Sequence, residues 1–175
     1  MIHPTADVHE LALVGEPPEH REWVPNRAYH FPVVEADAQI GAFATVDSGL
    51  EQPTRVGART WLMKHVHIGH DATVGADCEL APGVIIGGHC QIGDRVRVGV
   101  NACLRPFIRI GDGARIGAGA VVIRDVPAGE VWAGNPARRI ASRALATGPV
   151  LTASEIGGWE AVAAHTHDYD ALGLA

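Results

Sequence analysis

Residues 55–126 read RVGARTWLMKHVHIGHDATVGADCELAPGVIIGGHCQIGDRVRVGVNACLRPFIRIGDGARIGAGAVVIRDV. An aliphatic residue recurs at every sixth position: Val56, Leu62, Ile68, Val74, Leu80, Ile86, Ile92, Val98, Leu104, Ile110, Ile116 and Val122. Four positions after each stands a small or β-branched residue: Thr60, Val66, Ala72, Cys78, Val84, Cys90, Val96, Ala102, Ile108, Ala114, Ala120 and Val126. Glycine usually follows the aliphatic residue. A period of six suits neither a 3.6-residue helix nor a half-buried strand of strict alternation. It suits a coiled strand solenoid, a parallel β-helix in which three hexapeptides make one triangular turn. Residues 18 apart then stack on neighbouring coils, about 4.8 Å from one another.

Outward from this block the same step is found at Ile2, Val8 and Val14, and again at Val34, Ile40 and Val46. Two interruptions separate these pieces. Residues 16–32 are Pro-rich, polar and aromatic-containing, and read as a loop leaving the prism, a place where binding residues gather. Residues 47–55 form a smaller excursion. Toward the C-terminus, GNPARRI at residues 134–140 reads as an exit turn, and residues 141–175 lose the period. There TASE at residues 152–155 matches a capping box and predicts a short helix. The expected organisation is a β-helix domain over residues 1–140, with its loop at 16–32, and a C-terminal helical extension over 141–175.

Composition agrees with a narrow aliphatic prism. The chain is 47% hydrophobic but only 5% aromatic, and it has 21 glycines for tight corners. A formal net charge of -6 excludes a basic nucleic-acid footprint. No apolar run approaches the length of a membrane span, and MIHPTADVHE has no apolar signal core. Of the three cysteines, Cys78 and Cys90 occupy the inward small-residue slot, and the odd, dispersed set points to a reducing compartment. The expectation is a cytoplasmic protein that binds neither nucleic acid nor membrane.

Ten histidines are many for a chain of this length, and His65, His67, His70 and His89 fall close together. His70 and His89 are one coil plus one residue apart, so they share a corner on adjacent coils. Asp71 follows His70, and Gly88 stacks on His70 with an N–H free of side-chain bulk. This set suits acyl transfer. A neutral imidazole takes the proton of an attacking hydroxyl or amine, and a backbone N–H steadies the oxyanion formed from a thioester carbonyl. Two other readings stand beside it. One is a non-catalytic β-helix that binds a partner or small ligand. The other is zinc chemistry of the gamma-class carbonic anhydrase kind, with His65 and His70 as a ligand pair. Its third ligand is lacking, because residues 34–55 contain no histidine, so no metal is expected.

MIHPTADVH, LVGEPPEHREW, TRVGARTWLMKHVHIGHDATVG and LAPGVIIGGHCQIGD, in that order, resemble the UDP-N-acetylglucosamine O-acyltransferases of lipid A synthesis. The segment VGVNACLRPFIRIGDGARIGAGAVVIRDVPAGEVWAGNPARRI resembles the sugar O- and N-acetyltransferases of the sialic-acid and bacillosamine pathways. The resemblance implies an all-β, left-handed parallel β-helix of hexapeptide repeats, assembled as a homotrimer with sites between subunits. It implies His70 as general base, Asp71 as its aid, and Gly88 as the donor to the thioester carbonyl. His67 and His89 match positions lining the acceptor and acyl pocket, and Glu19, His20 and Arg21 lie in the matching acceptor-contacting loop. Glu19 and His20 stand where the first family has Gln-Asp, and Arg105 and Pro106 where it has His-Gln. On the donor side, Arg105, Gly117, Gly119, Arg138 and Arg139 fall at positions suited to CoA, with the arginines facing phosphates. The donor implied is acetyl-CoA or another acyl-CoA, with an acyl-carrier protein as the alternative, and the acceptor a sugar or nucleotide sugar.

Overall fold

The computed structural model describes residues 1–18 and 28–142. Its strands are mostly two residues long and visit three parallel faces in turn, one of eight strands, one of six and one of five. The six-stranded face stacks Leu13–Glu16, Thr45–Asp47, His67–Ile68, Ile85–Ile86, Cys103–Leu104 and Val121–Val122. This is the parallel β-helix that the six-residue step predicts. The predicted C-terminal helix falls outside the described residues. Among the described residues no helix is long and apolar enough to cross a membrane.

The register is the sequence period made physical. Glu79 pairs with Arg97, Ile85 with Cys103 and Gln91 with Arg109, each partner three hexapeptides further along the chain. All twelve aliphatic pulse residues point inward with at most 3% of their surface exposed, and so do the twelve residues four positions later. Two-residue strands suffice because every inward side chain packs on its equivalents one coil above and below, giving one continuous core. Thr60 takes an inward slot without penalty: its hydroxyl donates to the Gly75 carbonyl at 2.6 Å and accepts the Cys78 amide at 3.1 Å. Cys78 and Cys90 are buried free thiols, as their slots predict, and burial pushes the Cys78 thiol up to about 11. Cys103 is half-buried on the outer side of the six-stranded face.

The two excursions lengthen single coils without disturbing the stack. Thr45 pairs with His67 where a regular coil would bring Met63, so the excursion at 47–55 makes its coil four longer. Leu13 pairs with Thr45 where a regular coil would bring Phe31, so the first excursion is the larger detour. Past the last full coil, Glu130–Ala133 and Arg138–Ser142 pair as an antiparallel hairpin, and GNPARRI supplies its turn and the start of its second strand.

Candidate active site

The chain turns from the six-stranded to the five-stranded face through Gly69–Asp71, then Gly87–His89, then Arg105–Phe107 on successive coils. Asp71, His89 and Phe107 occupy one position of this corner, all in the left-handed region at φ 59°, 58° and 66°. His70 and Gly88 occupy the position before it. The corner is sewn by the His89 amide donating to the His70 carbonyl at 2.9 Å, and the Phe107 amide to the Gly88 carbonyl at 3.0 Å. The coil period therefore delivers these five residues, of four chemical types, to one edge of the prism.

His70 and Asp71 form a tight pair. The imidazole Nδ1 lies 2.7 Å from Asp71 Oδ2; the carboxylate is fully buried, while the ring keeps 24% of its surface exposed. The carboxylate also accepts the backbone amides of Leu50 at 3.0 Å, Glu51 at 2.7 Å and Gln52 at 2.8 Å. Burial alone pushes this carboxyl up. The Gln52 amide, the His70 ring and the Leu50 and Glu51 amides outweigh that effect and hold it at about 2. An ionised acceptor at Nδ1 makes that nitrogen the donor and leaves the lone pair on Nε2. Nε2 hangs over Gly88: a Cβ built there would sit 2.8 Å from Nε2 and 3.0 Å from Cε1. Gly88 itself is buried, and its N–H has no acceptor among the described residues. A buried donor left unspent is what an oxyanion site requires.

The lowered carboxyl carries a stability prediction. Its folded value lies below the unfolded one, so the contribution is complete above about pH 4 and is lost as pH falls toward 2, amounting to about 2 kcal/mol. Melting temperature followed from pH 5 downward should fall more steeply for the wild type than for Asp71→Asn. Parallel curves would mean that the carboxylate contributes no such acid-sensitive stability.

His89 completes the corner. Its ring meets that of His70 edge-on, with centroids 5.0 Å apart at 86°, and Nε2 stands 3.9 Å from Asp71 Oδ2. Its other side stacks on Phe107 at 4.5 Å and 8°, and Phe107 is 72% exposed. The ligand atoms of His70, Asp71 and His89 lie within 4.8 Å of one another. Both carboxylate oxygens already accept amide or imidazole hydrogens, so a cation here would have to displace the His70 ring. His65, the partner invoked for zinc, turns at the opposite edge of the six-stranded face and stacks on Phe43 at 5.1 Å.

The remaining sequence candidates are spread over the fold. His67 is on the six-stranded face beside the corner, with Nδ1 2.8 Å from Thr45 Oγ1 and Nε2 3.9 Å from Asp47. Arg105 lies exposed at the same corner as His70, two coils on. Gly117 and Gly119 lie at the corner between the eight- and six-stranded faces. There Gly117 packs on Ala133, and Gly119 serves a φ of 64°. Arg138 and Arg139 are in the terminal hairpin of the eight-stranded face, across the prism from His70, and Arg139 pairs with Glu130 at 3.0 Å. Glu19, His20 and Arg21 lie outside the described residues. Three contributors are not among the sequence candidates. Phe107 was reachable, lying one regular coil past His89. Thr54 Oγ1, which accepts the Asp71 amide at 2.9 Å, and the Leu50–Gln52 amides were not, because they belong to the irregular coil.

Residues 53–88 and 89–124 match the family described as bacterial transferase hexapeptide (six repeats). The UDP-3-O-acylglucosamine N-acyltransferase of a Caulobacter species is 33% identical over 143 residues, covering 79% of this chain and 42% of that protein. The protein of that name from Maricaulis maris is 56% identical over 99 residues, covering 57% of this chain and 29% of its own. The solved UDP-N-acetylglucosamine O-acyltransferase of Moraxella catarrhalis superposes with a TM-score of 0.77 at 30% identity, over 81% of this chain and 55% of that one. The chain thus spans less than half the length of these two curated relatives and about half that of the solved one. In period and in fold, the repeat block of residues 53–124 is similar to the bacterial transferase hexapeptide family.

Proposed function

We propose that this protein is an acyltransferase that moves an acyl group, acetyl in the simplest case, from a CoA thioester to a hydroxyl or amine of a nucleotide-sugar acceptor. One observation carries the reading: the imidazole of His70, held at Nδ1 by a buried carboxylate, presents Nε2 over the bare backbone of Gly88. Nε2 takes the acceptor proton as the acceptor oxygen or nitrogen bonds to the thioester carbonyl carbon. The oxyanion formed meets the Gly88 N–H. The intermediate collapses by breaking the carbon–sulfur bond, and the His70 imidazolium returns its proton to the departing sulfur. Asp71 holds the ring and stabilises the imidazolium without taking the proton itself. His89 and His67 flank the acceptor, and exposed Arg105 at the same corner suits a donor phosphate. The relatives' names support a UDP-linked glucosamine unit as acceptor, one receiving the acyl group on nitrogen and another on oxygen.

The site is completed by a second copy of the chain in a homotrimer. Leu13 and Ile85 stand exposed on the six-stranded face, in one column with Thr45, His67 and half-buried Cys103 and Val121; the eight-stranded face sets exposed Trp61 among Asp, Gln, Glu and Arg, and the five-stranded face presents mainly Arg, Thr and Gln. An apolar face beside the corner is the one to meet a partner. Ile85→Arg should shift sedimentation from trimer to monomer and lower activity with it; an unchanged trimer would place the contact elsewhere.

The reaction is tested by thiol release from acetyl-CoA against a panel of amino sugars and nucleotide sugars. Release that requires an acceptor establishes the reaction and names the acceptor class. No release with acetyl-CoA or with longer acyl-CoA and acyl-carrier donors would overturn it.

A further inference from the structure

The excursion at residues 47–55 is an irregularity with an address. It makes one coil four longer than its regular neighbours, and that coil is the one immediately before Asp71. Its amides turn inward on a single side chain. Asp71 Oδ1 accepts from Glu51 at 2.7 Å and Gln52 at 2.8 Å, the Leu50 amide is shared between Oδ1 at 3.1 Å and Oδ2 at 3.0 Å, and Oδ2 faces His70 at 2.7 Å. Gln52 adds a side-chain bond from Nε2 to the Asp71 carbonyl at 3.0 Å.

The turn is built for this and held from its outer side. A Cβ on Gly49 would lie 1.6 Å from the Gln52 carbonyl oxygen, so only glycine closes it. Gly49 exchanges two backbone hydrogen bonds with His30, each 2.9 Å. Ser48 donates its amide to the Glu16 carbonyl and its hydroxyl to that of Gly15, both at 2.8 Å. The two stalks of the longer excursion therefore brace the turn that grips the carboxylate.

We infer that the Gly49–Gln52 turn is a positioning element of the proposed catalytic pair: it commits one oxygen of Asp71 to backbone amides, so that the other is fixed on His70 Nδ1. The inference rests on the acyltransferase reading above for its role in catalysis, though not for its geometry. The physical reason is competition. A buried carboxylate free of the amides would rotate, and neither oxygen would be fixed on the imidazole. Shared among three amides, it orients the ring, with Nδ1 as the donor and the lone pair on Nε2. The titratable groups facing the ring are Asp71 and His89, with Glu51 carried by the turn itself.

The test is Gly49→Ala beside wild type, read by imidazole nitrogen NMR of His70 across pH and by the pH dependence of thiol release. In the variant, His70 should lose its single Nδ1–H tautomer, and kcat should fall at least about tenfold with acceptor KM little changed. A folded variant whose His70 keeps the wild-type tautomer at every pH overturns the inference. If Gly49→Ala does not fold, Gln52→Ala, which removes only the Nε2 bond, should show the same change at smaller amplitude, and no change there is equally fatal. If no acceptor supports thiol release in wild type, the acyltransferase reading fails, while the NMR titration still decides whether the turn positions His70.

Discussion

Replacing His70 by alanine is expected to lower kcat/KM for thiol release by about 10²–10⁴-fold, the contribution of a well-placed general base. The loss should appear in kcat more than in KM, because the ring touches the moving proton rather than the bulk of either substrate. The fold should survive. Asp71 keeps its three amides, and the removed ring is a quarter exposed, so no core residue loses a neighbour. Stability should change by about the 1.5–3 kcal/mol of one hydrogen bond to a charged group. Small imidazoles added to the variant should restore part of the activity by entering the space above Gly88. Near-wild-type turnover in a folded His70→Ala protein would remove His70 from the chemistry.

Gly88→Ala should be nearly as damaging, for a reason separable from backbone strain. Gly88 is not among the residues in the left-handed region, so alanine fits its backbone conformation. What alanine lacks is room: its Cβ would come within 2.8 Å of His70 Nε2, 3.0 Å of Cε1 and 3.1 Å of Cδ2, all inside normal contact. The ring has little retreat, being tied to Asp71 at 2.7 Å and met edge-on by His89. The methyl group would displace the base and occupy the space over the Gly88 N–H where a thioester carbonyl must enter. The expected result is a loss of about 10²-fold or more, on the order of removing one oxyanion donor, with the melting temperature close to wild type. A variant that melts as wild type and turns over normally would show that the Gly88 backbone plays no part in the reaction.

The charge state of this corner decides its chemistry, and it was the least legible part of the chain. His70, Gly88 and His89 could be brought together by counting, because in a regular β-helix a step of three hexapeptides is a contact. The same counting reaches Phe107. It fails for the Leu50–Gln52 amides, which reach Asp71 from a coil lengthened by the excursion. Hydrogen bonds to a backbone amide leave no trace in residue type, so nothing in LEQ announces a carboxylate ligand. Arg138 and Arg139 were legible as a motif but not in position: GNPARRI suggests a phosphate site, and the hairpin sets them across the prism from the same chain's His70, with Arg139 paired to Glu130.

By itself the sequence determined the solenoid, the inward set of Val, Ile, Leu, Ala and Cys, and the column that joins His70 to Gly88. It could do so because every contact in a regular coil is periodic, so local pattern and long-range packing carry the same information. Only the tertiary structure decided that Asp71 is ionised and held, that Nε2 is the free nitrogen of His70, and that an irregular turn grips the carboxylate. Those properties depend on desolvation and on the path of an inserted loop, and both arise only where segments without periodicity meet.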